Sequence, residues 1–89
     1  MKLYLIHCGF YDPDLCDGIY ESHVNLFVAA ESFDSAKVRV RENPVFKQKR
    51  MHVDGMEELE AVNGARIRLE HDPALEGKTL TVSHRHRDL

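Results

Sequence analysis

The 89-residue chain has little cysteine, no long apolar run and no excess of positive charge, and each shortage removes a class of protein. Cys8 and Cys16 are its only cysteines. Their C-x7-C spacing fits neither a redox CxxC nor a zinc-binding pair, so both are expected to be reduced thiols, structural or incidental. The first apolar segment, Leu3-Tyr4-Leu5-Ile6, is far shorter than the roughly 20 residues that cross a bilayer, and no cleavage site follows it. No membrane association is expected, and a cytoplasmic location is. A formal charge of −3 and a pI near 6.0 argue against a generic nucleic-acid binder. With no internal repeat, low-complexity tract or linker, the chain reads as one domain over residues 1–83, with 84–89 as a frayed tail.

What is present reads as alternating strands around one helix. Lys2 to Phe10 is apolar on both alternating sets, which predicts an interior strand covered on two sides. Tyr11 to Ser22 carries Pro13, Gly18 and several Asp, the chemistry of a long loop. His23 to Ala30 resumes the strand pattern, with Val24, Leu26 and Val28 on one face and His23, Asn25 and Phe27 on the other. Ser32 is the expected N-cap of a helix whose stripe is Phe33, Ala36 and Val40, and Pro44 is expected to stop it. Lys78 to Ser83 alternates like a last, edge strand. The order ββαβββ predicts an α+β two-layer sandwich, with one helix on a mostly antiparallel sheet. The other sheet face must then meet solvent, the basic connector Val45 to Arg50 or a second subunit. The two-sided apolarity of the first strand favours a homodimer.

Met51 to Glu70 reads as a β-hairpin turning at Asn63-Gly64. A two-residue turn sets Ala61 opposite Arg66 and pairs unlike residues on both faces. A three-residue loop, Val62-Asn63-Gly64, with Gly64 left-handed in a bulge, instead sets Ala61 against Ala65, Leu59 against Ile67, Glu60 against Arg66 and Glu58 against Arg68. The second register is the expected one. On the first strand the polar face then runs His52, Asp54, Met56, Glu58, Glu60, although Gly55 could introduce a bulge that inverts the faces.

Two stretches resemble a known family. Tyr20 to Ser32, YESHVNLFVAAES, is similar to an IE-x-H-D-x-x-F-V-x-x-ES segment, and Met51 to Leu69 to an H-x-D-x-x-x-E-V-E-x-V-D-G-Y-x-I segment, of the DUF1543 family of small bacterial proteins. The resemblance spans roughly residues 1–72, implies an α+β fold of this kind and brings no known activity. Position by position it points at Glu21, His23, His52, Asp54 and Gly64. Val24 stands where the family has Asp, and Ala65 where it has an aromatic residue.

The chemistry-bearing residues fall into two sets. Glu21 and His23 share one strand face and His52 and Asp54 another, because side-chain direction alternates with period two. If those strands are neighbours, two imidazoles and two carboxylates could converge on a divalent metal such as Zn²⁺, or do acid–base work. The competing reading is an ordinary polar sheet face with solvated side chains, since no local spacing such as HExxH enforces convergence. The second set is basic: Lys37, Arg41, Lys47, Lys49 and Arg50 could bind phosphate, or simply form a solvated face or pair with the acidic loop of another subunit. His7, inside the most apolar strand, is expected to be a core histidine bonded to backbone. Gly77-Lys78-Thr79 is no P-loop, since Asp72 stands where the first glycine is required. The leading expectation is a small binding or interaction domain, homodimeric and not directed at nucleic acid. The alternative is a divalent-metal-binding protein or small enzyme using Glu21, His23, His52 and Asp54.

Overall fold

The structure, a computed structural model, describes residues 1–88. Its centre is a three-stranded antiparallel sheet in the order β2-β1-β3, formed by β1 (Lys2–Tyr11), β2 (Glu21–Ala30) and β3 (His52–Leu59). The two-sided apolar β1 takes the middle position, as its pattern predicts, and pairs with β2 without interruption from Lys2↔Ala30 to Tyr11↔Glu21. The fold class is α+β, with a helical layer on one sheet face and a small second sheet.

The helical layer follows from local chemistry. Helix α1 (Phe33–Arg41) is capped by Ser32, whose Oγ accepts from Ser35 N–H at 3.1 Å, while Ser35 Oγ accepts from Ser32 N–H at 3.0 Å. Ala36 and Val40 are buried against the sheet. Phe33 lies half out, edge-on to Tyr4 with ring centroids 4.9 Å apart. Pro44 does end α1, and it also opens a second short helix, α2 (Pro44–Gln48), because a proline at the first helical position has no N–H to leave unpaired. Asn43 caps α2, its Oδ1 accepting from Val45 N–H at 2.9 Å. The expected connector is therefore helical at its start, and it buries Phe46, a contribution of about 1.5–3 kcal/mol for a side chain of that size. Tyr4, Ile6 and Cys8 of β1 meet this layer and are fully buried.

Strand β3 changes parity partway along. It pairs with β1 as Leu3↔Leu59 through His7↔Gly55, then skips to Cys8↔Val53 and Gly9↔His52, so Asp54 is the extra residue of a β-bulge. Val53 and Met56 both pack on the helical side, although their sequence separation is odd. The expected continuous polar face His52, Asp54, Met56, Glu58, Glu60 is thereby corrected. Glu58 pairs with Tyr4 on the helical side, 3.5 Å from Lys2 Nζ, while His52 faces away from the helices.

Two other expectations are corrected. The turn at Asn63-Gly64 is the two-residue one: both residues have positive φ, 51° and 80°, and β4 (Ala61–Val62) pairs with β5 (Ala65–Arg66) as Ala61↔Arg66 and Val62↔Ala65. Leu59 and Glu58 pair with β1 instead of Ile67 and Arg68. Residues 61–66 are exposed throughout, so there is no buried face to penalise mixed pairs, and the turn residues alone set the register. Lys78 to Ser83 forms no strand; Leu80 and Val82 lie in solvent, and the segment pairs with neither outer strand of the central sheet, β2 or β3. Among the described residues, none after Met51 is buried, and no helix is long and apolar enough to cross a membrane.

Candidate metal centre

The sheet face opposite the helices carries the candidate residues. Glu21 and His23 project from β2 and His52 and Asp54 from β3, but these strands are not neighbours, since β1 lies between them. Strands pair about 4.8 Å apart, so β2 and β3 run roughly 10 Å from each other. The gap is bridged over Gly9, whose Cα is in register with both His23 and His52. A β-carbon on Gly9 would stand 2.6 Å from both His52 Nε2 and Asp54 Oδ2, and closer still to Glu21 Oε1. The missing side chain is the space the polar groups occupy.

The four side chains meet in a ring of alternating base and acid. His52 Nε2 lies 2.7 Å from Glu21 Oε1 and 3.1 Å from Asp54 Oδ1. His23 Nε2 lies 3.3 Å from Glu21 Oε1 and 3.1 Å from Asp54 Oδ2. Each Nε2 carries at most one proton, so at most two of these four contacts are full hydrogen bonds. Where Nε2 carries the proton, its two carboxylate contacts share it; where it does not, a nitrogen lone pair faces carboxylate oxygens, an arrangement that a cation relieves. Ligand atoms around a tetrahedral Zn²⁺ lie roughly 3.4 Å apart, given arms of about 2.0–2.1 Å, and the neighbouring contacts of the ring run from 2.7 to 3.3 Å. One ligand atom each from Glu21, His52 and Asp54 lies within 4.8 Å of the others. The side chains are 30–46% exposed, which leaves one side of the ring open to water or a ligand.

The bulge at Asp54 is what makes the β3 half of the ring. It allows the strand to turn Val53, Met56 and Glu58 inward while keeping both His52 and Asp54 on the open face. Tyr11 flanks the ring, its centroid 6.4 Å from that of His52.

His7 is the residue whose expected place is overturned. It is exposed on the open face, not in the core, and its partner is the side chain of Asn25, with Nδ1 2.7 Å from Oδ1. The reason is that β1 shows Tyr4, Ile6 and Cys8 to the helices, and nothing among the described residues covers His7 on the other side. Its ring stacks on that of His23, with centroids 4.8 Å apart and planes within 5°. His7, His23 and Asp54 form a second group whose ligand atoms lie within 4.8 Å of one another. Gly9 is the other residue that pattern reading passes over. A lone glycine inside an otherwise apolar strand marks a place where something approaches the backbone closely, and that was the available signal.

The basic residues Lys37, Arg41, Lys47, Lys49 and Arg50 lie on or after the helices, away from the ring, and all are exposed. Lys49 is engaged within its own chain: Nζ is 3.5 Å from Asp12 Oδ2 and 5.9 Å from the centre of the Phe10 ring. The Asp12 carboxyl is held below its usual range, first by the Asp14 N–H donated to it at 2.9 Å, with burial opposing that and Lys49 adding a lesser pull downward. Both cysteines are free thiols, Cys8 buried and Cys16 exposed. No protein-family model, no curated protein and no solved structure matches the chain.

Proposed function

We propose that this domain binds a first-row divalent transition metal through Glu21, His23, His52 and Asp54. The observation that carries the reading is the convergence of His52 and Glu21, from strands on either side of β1, to 2.7 Å over the side-chain-free Gly9. A mixed set of imidazole nitrogens and carboxylate oxygens suits Zn²⁺, Fe²⁺ or Mn²⁺ better than the all-oxygen preference of Ca²⁺ or Mg²⁺. The half-exposed ligands leave a position for water or an incoming molecule, as in open metal sites and unlike closed structural ones. This puts the metal-binding reading ahead of the interaction module that the sequence favours first.

The test is elemental analysis of protein purified without chelator, compared with His52→Ala. Near-stoichiometric metal in the first and loss in the second is the expected outcome. Metal-free protein that also fails to take up Zn²⁺, Mn²⁺ or Co²⁺ in dialysis would reject the site. A ligand held at 100 times its Kd adds about 2.7 kcal/mol, so bound metal should raise the melting temperature of a domain this size by roughly 10–20 °C.

A second reading concerns assembly. Phe27 is 67% exposed on the same open face, where no layer among the described residues covers the sheet, and a homodimer burying that face accounts for it. Light scattering at micromolar concentration checks this, and a monomer mass would discard it. A cytoplasmic bacterial protein with the fold of the DUF1543 family fits the same picture.

A further inference from the structure

Two three-ligand groups share one carboxylate: Glu21, His52 and Asp54 on one side, and His7, His23 and Asp54 on the other. Asp54 presents a different oxygen to each histidine, Oδ1 to His52 and Oδ2 to His23, both at 3.1 Å. A carboxylate placed this way bridges two ions, one per oxygen. From this we infer that the site holds two divalent metal ions side by side, the first on Glu21 and His52, the second on His7 and His23, with Asp54 between them. The inference rests on the metal-binding reading above and extends it.

His7 has the features of a ligand rather than a bystander. Asn25 Oδ1 can only accept, so His7 Nδ1 donates to it across 2.7 Å, which leaves Nε2 of the neutral ring with its lone pair free. Metal-binding histidines are commonly held by such a bond from their other nitrogen. His23 is the neighbouring ring on the adjacent strand, stacked parallel to His7, and because the lone pairs of stacked rings lie in separate planes a shared ion would turn one ring out of the stack. Opposite His7 on β3 stands Gly55, beside which a β-carbon would meet nothing within 4 Å, so no β3 side chain blocks the approach. Three ligand atoms on one ion with arms of about 2.1 Å lie roughly 3.4 Å apart, so the second group closes by at most about 1.4 Å from its 4.8 Å limit, within the reach of side-chain rotation. Bridged pairs of this kind place their ions about 3.5–4 Å apart. Glu21 and Asp54 together offset only half the charge of two divalent ions. The pair would therefore draw hydroxide or another small anion to the open side.

The experiment is Mn²⁺ binding by equilibrium dialysis, with electron paramagnetic resonance of the loaded full-length chain. Wild type should take two ions per chain and give the spectrum of a spin-coupled pair. His7→Phe keeps a flat ring against His23 and removes the ligand atom; it should take one ion with an uncoupled spectrum, and circular dichroism checks its fold. Asn25→Ala, which leaves all ligands in place, should weaken the second ion by about 10-fold or more and leave the first unchanged. One ion in wild type, unaffected by His7→Phe, would overturn the second position and leave the single-metal reading standing. No ion in either protein would remove both, and two ions without spin coupling, or retained in His7→Phe, would overturn the bridged pair.

Discussion

His52 Nε2 lies 2.7 Å from Glu21 Oε1 although a complete strand separates the backbones that carry them. Only one position of that intervening strand allows this contact. A side chain at residue 9 would occupy the same space as the carboxylate and the imidazole.

Gly9→Ala should therefore abolish the centre while sparing the fold. The atoms its methyl group would meet are the ends of flexible side chains, which can swing into solvent, so the stability cost is expected near 1–3 kcal/mol and metal affinity should fall by more than 10-fold. Urea denaturation and calorimetric titration with Zn²⁺ measure the two effects separately. Unchanged affinity would mean that the ligands meet elsewhere.

Tyr4 is fully buried and its hydroxyl has no hydrogen-bond partner among the described residues. An unsatisfied buried polar group costs about 1–3 kcal/mol. Tyr4→Phe keeps the edge-on contact with Phe33 and should stabilise the domain by about 1 kcal/mol. A lower urea midpoint would show that the hydroxyl is satisfied in solution.

The two thiols should behave differently. Cys8 is buried, and burial first, with the nearby Asp54 charge second, raises it above its ordinary value of 9.0. A group raised on folding favours the folded state fully below its unfolded value and loses that contribution as pH climbs through the folded one. Stability should thus decline above about pH 9, less steeply in Cys8→Ala. A thiol reagent at neutral pH should modify exposed Cys16 at once and Cys8 only on unfolding; equal rates would refute the burial of Cys8.

Ser32→Ala removes the oxygen that accepts from Ser35 N–H and should cost about 1 kcal/mol. The companion Ser35→Ala deletes the reciprocal bond to Ser32 N–H and should cost less. Equal and negligible losses in both would mean α1 is held by packing alone.

The fold was legible where a residue's role depends on its immediate neighbours. Alternation located β1 and assigned the faces of β2, and Ser32 announced the start of α1. Pattern reading failed where the deciding contact is distant or missing. Face matching predicts the wrong hairpin register because those faces are exposed, and Asn63 and Gly64 decide it instead. Leu80 and Val82 alternate like a strand but stay in solvent, paired with neither outer strand of the sheet. His7 looked like core because Leu3 and Leu5 share its face, and those leucines are themselves only partly covered. The four site residues could be named from i, i+2 spacing. What the spacing could not supply was the intervening strand and the glycine that makes their meeting possible.

Because Asp54 resets which way β3 faces, the strand behaves as two independent rulers joined at one mark. The half that holds His52 is read from Gly9 and Cys8, and the half that holds Met56 and Glu58 is read from Ile6 and Tyr4. Substitutions that refit the interior beyond residue 55 can thus accumulate without tilting the ligands. Losing a single residue at the mark would instead force one half to surrender its orientation, and chemistry or core would go with it.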